Sequence, residues 1–207
     1  MTPERRKKIE KVLEKRQPTL HVILENVDDP HNVGAVLRSC DAFGVVDVHL
    51  LYYSIERRAQ SAKPSRMPRM REIRSKSAAS AAKWLRFTKW EKPKDLIAFL
   101  KKKKIKLAVT HLSATSKDPV EVDLAQPIAL AFGNEHDGIS KELLKAADFN
   151  LRLPMVGFVQ SFNISVAAAL LLYEAYRQRE GKGMYEASQL KKGEMKRLMK
   201  AWTGKSV

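Results

Sequence analysis

Asn32 and Arg38 stand six residues apart in DPHNVGAVLR, Gly133, Asn134 and Glu135 follow one another in AFGNEHDGIS, and Ser161, Asn163 and Ser165 cluster in QSFNISV. Each of the last two segments places Gly and polar residues where an apolar strand gives way to a helix, which is where α/β proteins build ligand sites. Several chemistries lack their residues. No GxGxxG follows the first apolar run, no Walker A sequence occurs, and His21, His31, His49, His111 and His136 form no local ligand pair. Cys40 is the only cysteine, so no intramolecular disulfide forms. Its place on a helix among apolar residues reads as a small buried hydrophobe.

The periodicity predicts the elements that must hold these groups. A basic helix over Pro3 to Arg16 carries a narrow apolar stripe of Ile9, Val12 and Leu13 and is stopped by Pro18. Strands are predicted at His21 to Val27, Val45 to Tyr53, Trp84 to Trp90, Ile105 to Leu112, Ile128 to Phe132 and Phe149 to Pro154. Helices are predicted at Asn32 to Phe43, Lys94 to Lys104, Ser140 to Ala147 and Phe162 to Arg179. Ser54 to Ser77 reads as a long loop. Strands alternating with helices imply an α/β fold with a mostly parallel sheet flanked by helices, and such folds build ligand sites where strands give way to helices. At 207 residues one main domain is expected.

The net charge is +16, with 39 Lys and Arg against 23 Asp and Glu. Residues 1–20, 57–76 and 180–207 hold nearly all of this excess, and clustered cations of this kind point to a polyanion partner. A solvated surface is the plainer reading of the same residues. No run of signal-peptide or membrane-spanning character occurs, and a cytoplasmic protein is expected.

NVGAVLR from Asn32, FGNEHDGIS from Phe132 and PMVGFVQSFNISVAAALLLYEA from Pro154 together resemble the SpoU family of knotted RNA ribose methyltransferases, over roughly residues 20–180. Phe162 departs from the Leu more usual in the family. The resemblance implies a C-terminal deep trefoil knot, S-adenosylmethionine bound in it, and a homodimer formed through it. It divides the chain into a basic N-terminal helix (1–19), a methyltransferase domain (20–180) and a basic C-terminal helical extension (181–207). The flanks resemble those of the tRNA-directed members whose target is guanosine 18 of the D-loop. In the extension, Leu190, Met195, Leu198, Met199 and Trp202 form a stripe that packs on the body, with RNA contact by its cations left open.

The resemblance also assigns roles. Asn32, Arg38, Glu135, Ser161 and Asn163 are the catalytic set, and Thr110, Gly133, Leu153, Met155 and Phe162 hold the cofactor, mostly through the backbone. Arg5, Arg6, Lys7, Lys8, Lys11 and Arg16, with His31, Arg177 and Arg179, are expected to face RNA. Members of the family are described as using this Arg as the base on the ribose 2′-OH. A guanidinium keeps its proton, so Arg38 is expected to hold phosphate and developing alkoxide together while a phosphate accepts the proton. Asn32 is expected to brace Arg38 or to cap its helix, Ser161 to cap the last long helix, and Gly157 to leave room for the cofactor or the threaded chain. The chemistry requires no metal. Two other readings stand beside it: an rRNA 2′-O-methyltransferase, and a non-catalytic RNA-binding or ribosome-assembly protein on the same fold. The catalytic set speaks against the second, since binding alone needs none of it.

Overall fold

Strands that are apolar on both faces belong inside a parallel sheet, and Ile128–Phe132 is buried at every position. The computed structural model describes residues 1–53, 81–134 and 137–204. In chain order its elements are α1 (Pro3–Glu14), β1 (Gln17–Glu25), α2 (Pro30–Ala42), β2 (Val45–Leu51), β3 (Arg86–Trp90), α3 (Pro93–Lys103), β4 (Lys106–Thr110), β5 (Ile128–Phe132), α4 (Lys141–Ala146), β6 (Phe149–Leu151), α5 (Ile164–Gly181) and α6 (Lys192–Thr203). The six strands lie in the order β3-β2-β1-β5-β4-β6, and the strand pairings are parallel. The expected α/β class is therefore met. The order turns back between β1 and β5, where Leu24 pairs with Phe132, and the loops leaving these two strands meet at one edge of the sheet.

Most element types agree with the periodicity, and the boundaries move for physical reasons. β1 begins at Gln17 rather than His21, with Pro18 inside it. The register shifts between Gln17 and His21, and a bulge is where a strand tolerates a residue without an N–H. Gly44, at φ +81°, makes the turn from α2 into β2 that a side chain would strain. The predicted loop from Ser54 to Ser77, and the basic stretch 57–76 within it, lie outside the described residues.

Three apolar clusters hold the layers. α2 and α5 cover one face of the sheet through Val33, Val36, Leu37, Cys40, Ala168, Leu171, Leu172 and Ala175. α3 and α4 cover the other through Leu96, Leu100 and Leu143. The flanks pack on each other: Ile9 and Leu13 of α1 meet Leu190 and Leu198, with Met195, Met199 and Trp202 beside them. The C-terminal stripe thus packs on the body as expected. Cys40 is fully buried, and burial pushes its thiol pKa up, as befits an inert core residue.

Two residues expected to face RNA are instead internal. Arg16 is 1 % exposed. It pairs with the Asp41 carboxylate, donates to the Val45 carbonyl at 3.1 Å and lies 5.0 Å from the Trp202 ring centroid. Arg179 is 0 % exposed. Its Nε donates to the Leu124 carbonyl at 3.1 Å, Nη1 to Gln17 Oε1 at 3.1 Å and Thr19 Oγ1 at 3.0 Å, and Nη2 to the Gln126 carbonyl at 2.9 Å. Neither reaches a polyanion, because each is buried and turned to acceptors within the protein, Arg16 to Asp41 and Val45 and Arg179 mainly to backbone carbonyls. Arg5, Arg6, Lys7, Lys8, Lys11, His31 and Arg177 are exposed.

Candidate active site

The C-terminal ends of β4, β5 and β6 and the first turn of α5 enclose a cleft of about 510 Å³. All five residues expected to hold a cofactor, Thr110, Gly133, Leu153, Met155 and Phe162, line it, together with Ser161 and Asn163. Its apolar wall comes from Leu112, Ile139, Leu151, Ile164 and Leu171. Thr110 Oγ1 donates to the Ala131 carbonyl at 3.2 Å, tying the end of β4 to β5. At Gly133 the chain returns so closely that a Cβ would lie 2.2 Å from the Gly138 carbonyl carbon and 2.5 Å from the Ile139 nitrogen. Only glycine fits there, because the side a Cβ would occupy is filled by the returning Gly138–Ile139 backbone. Gly157 differs: a Cβ on it would meet nothing within 4 Å, so within this chain the expected steric need for that glycine is absent.

The end of α5 at the cleft is capped by Asn163 rather than Ser161. Asn163 Oδ1 accepts from the Ser165 backbone N–H at 2.8 Å and from Ser165 Oγ at 2.6 Å, satisfying a donor that the helix itself leaves open. Its Nδ2 donates to Asn32 Oδ1 at 3.0 Å. Asn32 is therefore linked across to α5, and it is not the cap of its own helix. The cap of α2 is Asp29, which accepts from the His31 N–H at 2.9 Å. Arg38 lies on α2 about 9 Å along the axis from Asn32. It is exposed and makes no hydrogen bond or ion pair among the described residues, and it does not line the cleft. Glu135 lies outside the described residues.

A buried polar network under the cleft was not foreseen. Glu25, at the end of β1, is 1 % exposed. One carboxylate oxygen accepts from the Tyr53 hydroxyl at 2.7 Å and the other from the Ser140 N–H at 2.9 Å. Burial raises its pKa, opposed by the hydrogen bonds from Ser140 and Tyr53. Next to it Asn26 adopts a left-handed φ of 51°. Its carbonyl accepts from Asn134 Nδ2 at 2.9 Å and its Oδ1 accepts from the Tyr53 N–H at 3.1 Å. The signal in the sequence was an acidic residue and an amide closing the apolar run HVIL, where a solvent-facing strand end would read the same way.

Residues 19–173 match the SpoU rRNA Methylase family. The chain is 39 % identical over 201 residues to the tRNA (guanosine(18)-2′-O)-methyltransferase of Escherichia coli K12, covering 96 % of this chain and 82 % of that one. The crystal structure of the A. aeolicus TrmH/SpoU tRNA modifying enzyme superposes with a TM-score of 0.81 at 36 % identity, over 97 % of this chain and 95 % of that one. The SpoU methyltransferase AviRb from Streptomyces viridochromogenes, crystallised with AdoMet, gives 0.63 at 25 % identity, over 81 % and 59 %. A parallel α/β sheet whose three motifs meet at its carboxyl edge defines a class of RNA-modifying methyltransferases. The chain belongs to the SpoU rRNA methylase family.

Proposed function

We propose that this protein transfers a methyl group from S-adenosylmethionine to the ribose 2′-OH of guanosine 18 in the D-loop of tRNA. The observation that carries the reading is the convergence of Thr110, Gly133, Leu153, Met155 and Phe162 on one cleft whose rim bears the Asn32–Asn163 pair. The cleft fits the cofactor. Its apolar wall accepts a flat base, and the backbone of lining residues such as Gly133, Leu153 and Met155 offers hydrogen bonds. The cofactor supplies an electrophilic methyl on a sulfonium, and the protein aligns oxygen, carbon and sulfur.

In this reading Asn163, fixed by its bonds to Ser165 and Asn32, orients the acceptor ribose, with Ser161 and Glu135 completing the site. Arg38 stays protonated throughout. Its guanidinium holds a substrate phosphate beside the 2′-oxygen and stabilises the alkoxide as it forms, and that phosphate takes the proton. Arg38 is exposed and does not line its own chain's cleft, which supports a homodimer in which copies complete each other's sites. Val166, Leu170 and Tyr173 are exposed along one side of α5, at helical spacing, and a two-fold contact there buries them. The reading includes the trefoil knot over the C-terminal part of the 20–180 domain, supported by family membership. RNA lies along the exposed cations of α1 (Arg5, Arg6, Lys7, Lys8 and Lys11), with His31 and Arg177, while the 1–19 and 181–207 flanks pack together as its platform. No described helix is long and apolar enough to cross a membrane, and a tRNA substrate places the enzyme in the cytoplasm.

The test is methyl transfer from labelled S-adenosylmethionine to total tRNA and, separately, to ribosomal RNA. Label in tRNA that blocks alkaline cleavage after one guanosine supports the reading. Label confined to ribosomal RNA replaces it with the rRNA-directed alternative, and binding without transfer replaces it with the non-catalytic one.

A further inference from the structure

We infer that Glu25 is a positioning residue for the cofactor cleft: its carboxylate holds the returning end of the loop between β5 and α4 against β1, and thereby sets the affinity of the cleft for the methyl donor. The inference rests on the reading that this cleft holds S-adenosylmethionine.

The loop leaves β5 at Gly133 and re-enters regular structure at Ser140, the N-cap of α4, whose Oγ accepts from the Leu143 N–H at 3.2 Å. A Ser cap is often completed by Glu or Gln three residues on, whose side chain reaches back to the cap's own N–H. Here that position is Leu143, buried in the core, so the helix cannot supply the acceptor. Glu25 supplies it from the neighbouring strand, at 2.9 Å. The side chain follows the strand alternation: Ile23, two residues earlier, packs in the cluster beneath α3 and α4, and Glu25 continues on that face to the loop.

The other end of the loop is tied to the adjacent residue, since Asn134 donates to the Asn26 carbonyl. Glu25 and Asn26 thus grip the start and the finish of one loop. Between those ties Asp137, Gly138 and Ile139 line the cleft, with Gly133 just before the first. Tyr53 anchors the grip to β2, donating through its hydroxyl to Glu25 and through its backbone N–H to Asn26. A buried carboxylate is costly unless its lone pairs are met, and a hydrophobic residue would serve the core alone at lower cost. The loop tie is what the carboxylate adds.

The distinguishing variants are Glu25→Leu, which removes both acceptors, and Glu25→Gln, whose amide oxygen can accept from Ser140 while its NH₂ donates to the Tyr53 oxygen. Hydrogen exchange in the ligand-free full chain reads the loop directly, and calorimetric titration with S-adenosylmethionine reads the cleft. In Glu25→Leu the expected result is faster exchange at the amides of 138–144, affinity for S-adenosylmethionine weakened by about tenfold, and kcat at saturating cofactor within about twofold of the parent. Glu25→Gln restores exchange and affinity. Unchanged exchange and affinity in Glu25→Leu, with the parent binding normally, overturns the inference alone. So does a fall in kcat and melting temperature with cofactor affinity unchanged, the mark of a merely structural residue. If Glu25→Leu does not fold, Glu25→Asp, too short to reach Ser140, decides by the same two readings. A parent chain that binds no S-adenosylmethionine overturns this inference together with the reading it rests on.

Discussion

Asn163 donates a hydrogen bond to Asn32 at 3.0 Å, joining the first turns of α5 and α2 at the rim of the cleft. The same Asn163 caps α5, so its two functions are separable by substitution. Asn163→Asp keeps a cap acceptor and loses the donor to Asn32. Its unfolding free energy should stay within about 0.5 kcal/mol of the parent while methyl transfer falls by at least about tenfold. Asn163→Ala loses both, with a further destabilisation of about 1 kcal/mol. Denaturant melts alongside single-turnover transfer check the split; a fully active Asn163→Asp removes the pair from the mechanism.

Arg38 is exposed and unattached within its own chain among the described residues. Arg38→Ala should therefore leave stability and S-adenosylmethionine affinity unchanged and lower the transfer rate by at least about two orders of magnitude, roughly 2.7 kcal/mol of transition-state stabilisation. Near-normal single-turnover methylation by the variant would count against its assignment.

Among the described residues Arg179 has no carboxylate partner, and it is held by neutral acceptors. Burial lowers its pKa to about 10, which still leaves it charged at neutral pH. Arg179→Met strands several buried oxygens at about 1 kcal/mol or more each and should cost at least about 2 kcal/mol of stability. The folded variant should bind tRNA as the parent does. A variant that loses tRNA affinity while keeping its stability would return Arg179 to the RNA surface.

His49 and His21 are buried side by side, Nε2 of one 3.0 Å from Nδ1 of the other. Trp90 Nε1 donates to His49 Nδ1 at 3.1 Å, so the single proton of neutral His49 sits on Nε2 and points at His21. Burial first, and then His21, lowers the pKa of His49 to about 4, from 6.5 when free. The folded pKa lies below the unfolded one, so the stability is fully present above about pH 6.5 and is lost as pH falls towards 4, by roughly 3 kcal/mol. His49→Gln keeps an acceptor for Trp90 and a donor for His21 but does not titrate. Its unfolding free energy should fall less steeply over this window, and an identical slope in both proteins would exclude the pair as the source.

What the sequence made legible is what periodicity and local chemistry encode. Ile128–Phe132 declares a buried strand, and Leu198, Met199 and Trp202 declare the packing face of α6. The five cofactor candidates also met at one cleft. The misreadings are of residues whose partners are distant in sequence. Arg179 is indistinguishable from a surface cation until Gln17 and Leu124 are brought to it. Ser161 and Asn163 are equally good caps on paper, and the backbone at Asn163 decides between them. Glu25 reads as the polar end of a strand because its partner Ser140 lies 115 residues away. Arg38 was legible as chemistry yet not as geometry, since it is exposed and does not line the cleft.

The most direct measurement compares two tRNA transcripts that differ only in the ribose at guanosine 18, one natural and one 2′-deoxy, as acceptors for labelled methyl from S-adenosylmethionine. The expected result is methylation of the natural transcript, with nuclease mapping of the label to guanosine 18, and none of the deoxy transcript, though both bind. Equal incorporation into the two would place the methyl elsewhere and contradict the assignment of this site to ribose 18.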